Sequence, residues 1–137
     1  MSGSASDYLE SAWLKHVLRL TAYPQPAGLW LAALLTHGGD SGGTEPTGGS
    51  YARVPAGTFT VSGSSPTEGV NDAAIEFPAA SAAWGDVAYC ALYDALTGGN
   101  QLLHSPLLDT NGQPTTVMVA AKDVLRIAPG ALRVRAS

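Results

Sequence analysis

Two hydrophobic periods divide the chain. Over residues 4–20, apolar side chains recur at helical spacing. Leu9, Ala12, Trp13, Val17 and Leu20 share one face, Leu14 and Leu18 widen it, and Glu10, Lys15 and Arg19 lie off it. Ser4 or Ser6 is placed to cap the first turn. Asp7 and Glu10 sit near the positive end of the helix dipole, and Lys15 and Arg19 near the negative end. The stretch "TAYPQP" ends the helix, because proline lacks the amide proton and clashes with the preceding turn.

From residue 28 onward the segments are short and strand-like. "GLWLAALLT" (28–36) is a continuous apolar run, and "SYARVP", "GTFTVSG" and "NDAAIEFP" are further candidates. "GDVAYCALYDA" (85–95) is the strongest. Val87, Tyr89, Ala91 and Tyr93 alternate with Ala88, Cys90 and Leu92, and neither set is polar, so this strand is expected in the interior with both faces covered. "NQLLHSPLL", "PTTVMVAA", "DVLRIA" and "GALRVRAS" follow, separated by "TGGN", "TNGQ" and "PGA", whose glycine and asparagine tolerate positive φ. Short strands at this spacing predict a mainly β fold, an antiparallel β-sandwich of jelly-roll-like or Ig-like type over 28–135, preceded by one amphipathic helix. The length suits a single domain, 1–137. "ALRVRAS" alternates Leu132 and Val134 with Arg133 and Arg135, which reads as a sheet edge open to another chain.

Composition narrows the function. Only 13% of residues are charged and the net charge is −4, so there is no basic field to attract nucleic acid. Three of the seven basic residues, Arg126, Arg133 and Arg135, lie in the last dozen positions and read as a solvated strand face. No apolar run is long enough for a membrane-spanning helix, and residues 1–20 carry charges throughout, unlike a secretory signal. Synthesis in a cytoplasm is the expectation. Cys90 is the only cysteine, which excludes an internal disulfide and a cysteine-based metal site, and it reads as a small buried hydrophobe.

The string "GGDSGG" (38–43), preceded by His37, is spelled like the surroundings of a protease nucleophile. A triad of that kind needs its histidine and aspartate on a folded barrel upstream, and only forty residues precede Ser41. Pairing Ser41 with His104 and Asp109 would join residues with no motif around them. The stretch 37–50 holds six glycines, one proline and no large apolar residue, so it reads as a loop. Asp40 and Glu45 lack the spacing of a calcium loop. His16, His37 and His104 are scattered, and no phosphate loop or dinucleotide fingerprint is present. No catalytic residue, metal ligand or cofactor is expected. Trp13, Trp30 and Trp84 read as core or interface anchors. Trp84 lies in the loop-like "AASAAWGD" and is the one most open to exposure.

Five stretches carry a resemblance: "SDYLESAWLKHVLRLTAY", "LWLAALLT", a glycine-rich acidic loop ending "GGSYAR", "IEFPAASAAWGDVAYCALYDA", and "TGGNQLLHSPL". In this order, from about residue 6 to 108, the chain resembles a family of small tailed-bacteriophage virion proteins labelled phage tail fibre proteins. The resemblance implies a non-enzymatic structural component of the virion, working through subunit contacts. It leaves open a capsid decoration (cement) or head-fibre role. It implies partners among other virion proteins and copies of the chain itself, most simply a trimer, and allows contact with a host-surface glycan. A carbohydrate-binding module using Trp84, Tyr89 or Tyr93 is the reading from another class. Its mark would be aromatic rings exposed together on one face. The expected assembly residues are Leu9, Trp13, Val17, Leu20, Trp84, Leu132 and Val134.

Overall fold

The helix is shorter than its apolar pattern. In the computed structural model, which describes residues 2–37, 43–63, 67–107, 111 and 113–136 and only the backbone course of 2–4 and 133–136, residues before Ser6 are extended rather than helical. The elements are β1 (Ser2–Ala5), α1 (Asp7–Val17), β2 (Trp30–Leu34), β3 (Thr36–His37), β4 (Gly43–Thr44), β5 (Val54–Pro55), β6 (Phe59–Ser62) and β7 (Thr67–Asn71). They continue as β8 (Ile75–Glu76), β9 (Gly85–Val87), β10 (Tyr89–Tyr93), β11 (Gln101–Pro106), β12 (Val117–Val119), β13 (Arg126–Ile127) and β14 (Arg133–Ala136). The protein is mainly β, with one helix.

One large sheet has the order β5-β2-β10-β11-β1-β14-β7-β6. All its neighbours are antiparallel except β1 and β14, which run parallel. The pairs β12-β9, β13-β8 and β3-β4 stand apart from it. β10 lies between β2 and β11, an interior position as its apolar pattern predicts. The expectation for "ALRVRAS" is corrected: β14 is flanked by β1 and β7, and the open edges of the large sheet are β5 and β6. The edge strand β5 carries Pro55, which has no amide proton to offer a ladder. β1 and β7 carry weak local strand signals and were not anticipated.

The two faces of β2 and β10 serve different clusters. Leu31, Ala33, Cys90 and Leu92 join Ile75, Phe77, Trp84, Val87, Val119, Leu125 and Ile127 in the main core. Ala32, Leu34, Ala91 and Tyr93 form a second cluster on the reverse face, with Tyr89 against it. Full burial of a side chain such as Leu31 or Val87 contributes about 1.5–3 kcal/mol. Alternation along 85–95 is interrupted at Ala88, whose amide donates to Leu34 O and whose carbonyl accepts from Leu107 N. The interruption changes the parity, so Val87 packs with Cys90 and Leu92 rather than with Tyr89 and Ala91. β8, β9, β12 and β13 all supply residues to the main core, although their pairs do not join the large sheet.

Candidate functional site

Ser6 fixes where α1 begins. Its backbone is extended, its side-chain oxygen accepts from Leu9 N at 3.2 Å, and its own amide donates to Leu102 O at 2.8 Å. The buried serine thus caps the helix and ties it to β11 at once. At the far end Arg19 is left-handed with φ 64°, Arg19 N donates to His16 O, and Leu20 N donates to Lys15 O. These two bonds form a Schellman termination with arginine where glycine is usual. Tyr23 N donates to His16 Nδ1 at 3.1 Å and folds the following segment back on the helix.

Between these ends the helix buries no residue completely. Leu9 and Ala12 are half-buried. Trp13 is 58% exposed, Leu20 is 74% exposed, and Tyr8, Leu14, Val17 and Leu18 are exposed as well. Six of the eleven exposed large apolar side chains among the described residues therefore belong to this helix and its stop. Trp13 and Val17, and likewise Leu14 and Leu18, are four residues apart, so each pair meets on the surface. An apolar strip of this kind on an otherwise packed protein is the feature best suited to contact.

The other residues expected at an interface lie elsewhere. Trp84 is only 5% exposed and belongs to the main core, its Nε1–H donating to Gly49 O at 2.8 Å. Leu132 is buried in the same core. Both side chains, expected at an assembly surface, are instead taken up by the core of their own chain. Trp84 does stand in a loop, but a carbonyl and the rings of Tyr51 and Phe77 close around it. Val134 lies in β14, and its side chain is outside what the structure describes. Of the expected set, the structure brings Leu9, Trp13, Val17 and Leu20 together on α1 and its stop.

The chemical candidates resolve in the same way. Ser41, Asp40 and Asp109 lie outside the described residues. His104 stacks on His37 with ring centroids 5.4 Å apart, and His37 contacts Tyr89 at 4.6 Å. Cys90 is buried, and burial pushes its thiol up to about 12. No group of three or more His, Cys, Asp or Glu side chains among the described residues is placed to hold a metal ion. No helix among them is long and apolar enough to cross a membrane. Trp84 belongs to one face of the sheet, and Tyr89 and Tyr93 to the other, so these three rings form no common platform.

One polar cluster was not anticipated. Arg53 donates from Nε to Glu45 Oε1 at 3.1 Å, from Nη2 to Glu45 Oε2 at 2.9 Å, and from Nη1 to the carbonyls of Ala95 at 2.9 Å and Gly98 at 2.8 Å. Its guanidinium carbon stands 3.7 Å from the Tyr93 ring centroid. The Tyr51 hydroxyl donates to Glu45 Oε1 at 2.6 Å and accepts from Ala33 N at 3.1 Å. β5 pairs with β2 only as far as Leu31, so this hydroxyl satisfies a buried amide beyond the end of the ladder. Burial, then the hydrogen bond and charge of Glu45, push the Tyr51 hydroxyl far above its ordinary value, keeping it a donor. Burial disfavours the charge on Arg53, but Glu45 outweighs it and raises the guanidinium further. Both Tyr51 and Arg53 lie in "GGSYAR", and the same string holds Gly48 and Gly49 with φ 73° and 61°. The string is a structural joint: Gly49 receives Trp84, Tyr51 completes β2, and Arg53 ties down the turn after β10.

A family model described as Podophage GP4 fiber I protein gp80 matches residues 4–135, which span α1, the clamp around Arg53 and nearly the whole of the large sheet. No curated protein matches the chain.

Proposed function

The chain belongs to the Podophage GP4 fiber I protein gp80 family, a family of phage structural fibre proteins, and we propose that it works in the virion through subunit contacts made by the exposed face of α1. The observation that carries this reading is the concentration of exposed apolar side chains on that helix and its stop. The chemistry suited to such a strip is a complementary apolar surface on another subunit, since covering it removes the side chains from water. A homo-oligomer held to a further virion protein is the arrangement we propose. The trimeric state rests on what phage fibre and cement proteins usually adopt rather than on these residues, and the resemblance does not assign the chain to tail or head. A sandwich-like architecture belongs to the same proposal, supported by the core that β8, β9, β12 and β13 share with the large sheet.

The test places charge on the strip without touching the core. Val17→Lys with Leu18→Lys, whose charges suit the negative end of the helix dipole, is expected to leave the circular dichroism spectrum unchanged, because both positions are exposed. Phage particles grown with this variant as the only copy are expected to lack the protein. Particles carrying it at the wild-type level would refute the role of α1.

A further inference from the structure

We propose that β1 and α1 form an exchangeable arm, and that in the assembled protein β1 of one copy completes the large sheet of a second copy of this chain. The inference rests on the subunit-contact reading above and names the contact that builds it.

The sheet topology is the first ground. β1 is the single junction between β5-β2-β10-β11 and β14-β7-β6. It pairs with β11 through Ala5↔Leu103 and Ser4↔His104, and with β14 through Ser2↔Arg133 and Gly3↔Val134. Without β1 two interior strands would each present an unpaired edge, so the slot must be filled. Backbone hydrogen bonds fill it, and those are available equally from any copy of the sequence "SGSA".

The second ground is how the arm is attached. Among the described residues, the hydrogen bonds made by residues 19–28 run back to α1, to Lys15 O, His16 O and His16 Nδ1. Among the anchors of the arm to the rest of the fold are the ladders of β1, the bond from Ser6 N to Leu102 O, and the half-buried Leu9 and Ala12. Each of these moves with the arm and is re-formed unchanged on another copy. Pro24 and Pro26 bias the residues before them toward extended backbone, so the connection favours reach over a tight return. Residues 21–28 span roughly 26 Å when extended.

The third ground decides between closed and exchanged forms. Exchange conserves the contacts of β1, so the balance is set by what the new interface buries near the connection. The exposed apolar residues cluster there: Val17 and Leu18 end the helix, and Leu20 begins the connection. In the closed subunit these side chains face water. In an exchanged assembly they lie where two copies meet. Head-to-tail exchange of one arm per copy closes into a ring or extends as a line, according to the rotation between copies.

The experiment uses the full chain. Ala5→Cys and Leu103→Cys are made separately, unfolded, mixed, refolded together and then oxidised. Exchange predicts a disulfide joining one Ala5→Cys chain to one Leu103→Cys chain, seen as a dimer on a non-reducing gel and absent from either variant refolded alone. The double variant is expected to give multimers rather than an internally bonded single chain. Ser4→Cys with His104→Cys reads the adjacent register should the first pair fail to refold. A double variant bonded only within itself, with no inter-chain product from the mixed singles, overturns the exchange. The two readings fail separately. Loss of the protein from particles in the charged α1 variant, with no inter-chain disulfide here, keeps the α1 interface and removes the exchange. An inter-chain disulfide with normal particle loading keeps the exchange and removes the α1 interface.

Discussion

Replacing Arg53 by alanine should be among the most damaging changes outside the apolar core. The side chain is 8% exposed and its partner Glu45 is 26% exposed. The change removes two hydrogen bonds to the carboxylate, two to the carbonyls of Ala95 and Gly98, and the packing over Tyr93. Bonds to a charged group contribute about 1.5–3 kcal/mol each, but these four share one group and do not add. Breaking one side of a buried ion pair costs about 3–5 kcal/mol. Glu45 keeps the Tyr51 hydroxyl and some access to water, which places the expectation near the lower end, about 3 kcal/mol. In a chain of this size that lowers the melting temperature by about 10 °C. Arg53→Lys keeps the charge without the fork of donors and should fall between wild type and alanine. Thermal unfolding followed by circular dichroism measures both. A loss below about 1 kcal/mol for Arg53→Ala, or a lysine variant equal to wild type, would refute the clamp.

Acid should act on the same joint. Burial alone raises the Glu45 carboxyl, but the hydrogen bonds from Arg53 and Tyr51 and the Arg53 charge outweigh it, leaving it below its ordinary 4.5. A carboxyl held lower when folded contributes stability that is present above its unfolded value and lost as pH falls through the folded one. The melting temperature should therefore fall as pH drops below about 4.5, and Glu45→Gln should lack that component. An identical acid profile in the two proteins would contradict the assignment.

Three further outcomes follow from the geometry. Gly49→Ala should destabilise by about 2 kcal/mol or more, because φ is 61° and a Cβ would stand 2.8 Å from Ala82 O and 2.9 Å from Trp84 Cδ1; an unchanged melting curve would place Trp84 elsewhere. Cys90 should resist a thiol reagent in the native protein at pH 8 and react on unfolding; rapid native labelling would contradict its burial. Trp13→Ala should cost dilute, monomeric protein well under the about 3–5 kcal/mol of a core tryptophan, since the ring is 58% exposed; a core-sized loss in the monomer would mean that α1 packs on its own subunit.

How much the sequence disclosed depends on whether the deciding contacts are local. β2 and β10 were legible because their own residues are apolar on both faces, and a strand buried on both sides needs no further specification. β14 read as an edge because arginine alternates with leucine and valine. Its real position depends on β1 and β7, which lie over sixty residues away in the chain and have little strand signal of their own. The loop around Trp84 was legible and its burial was not, since the carbonyl that receives the indole belongs to Gly49. "GGSYAR" stood out as a string, yet nothing in it says that Arg53 reaches Glu45 on one side and the turn after β10 on the other. The stripe on α1 is the converse case. Helical spacing predicts that Leu9, Ala12, Trp13, Val17 and Leu20 share a face; the first four lie on α1, while Leu20 falls past its end, beyond the left-handed Arg19. A stripe specifies that something should cover it, not what. Most stripes are covered by their own fold and disappear into the core. This one remains on the surface after the rest of the chain has folded, and that mismatch between a clear local pattern and its unfilled tertiary demand is the ground on which the proposed α1 contact rests.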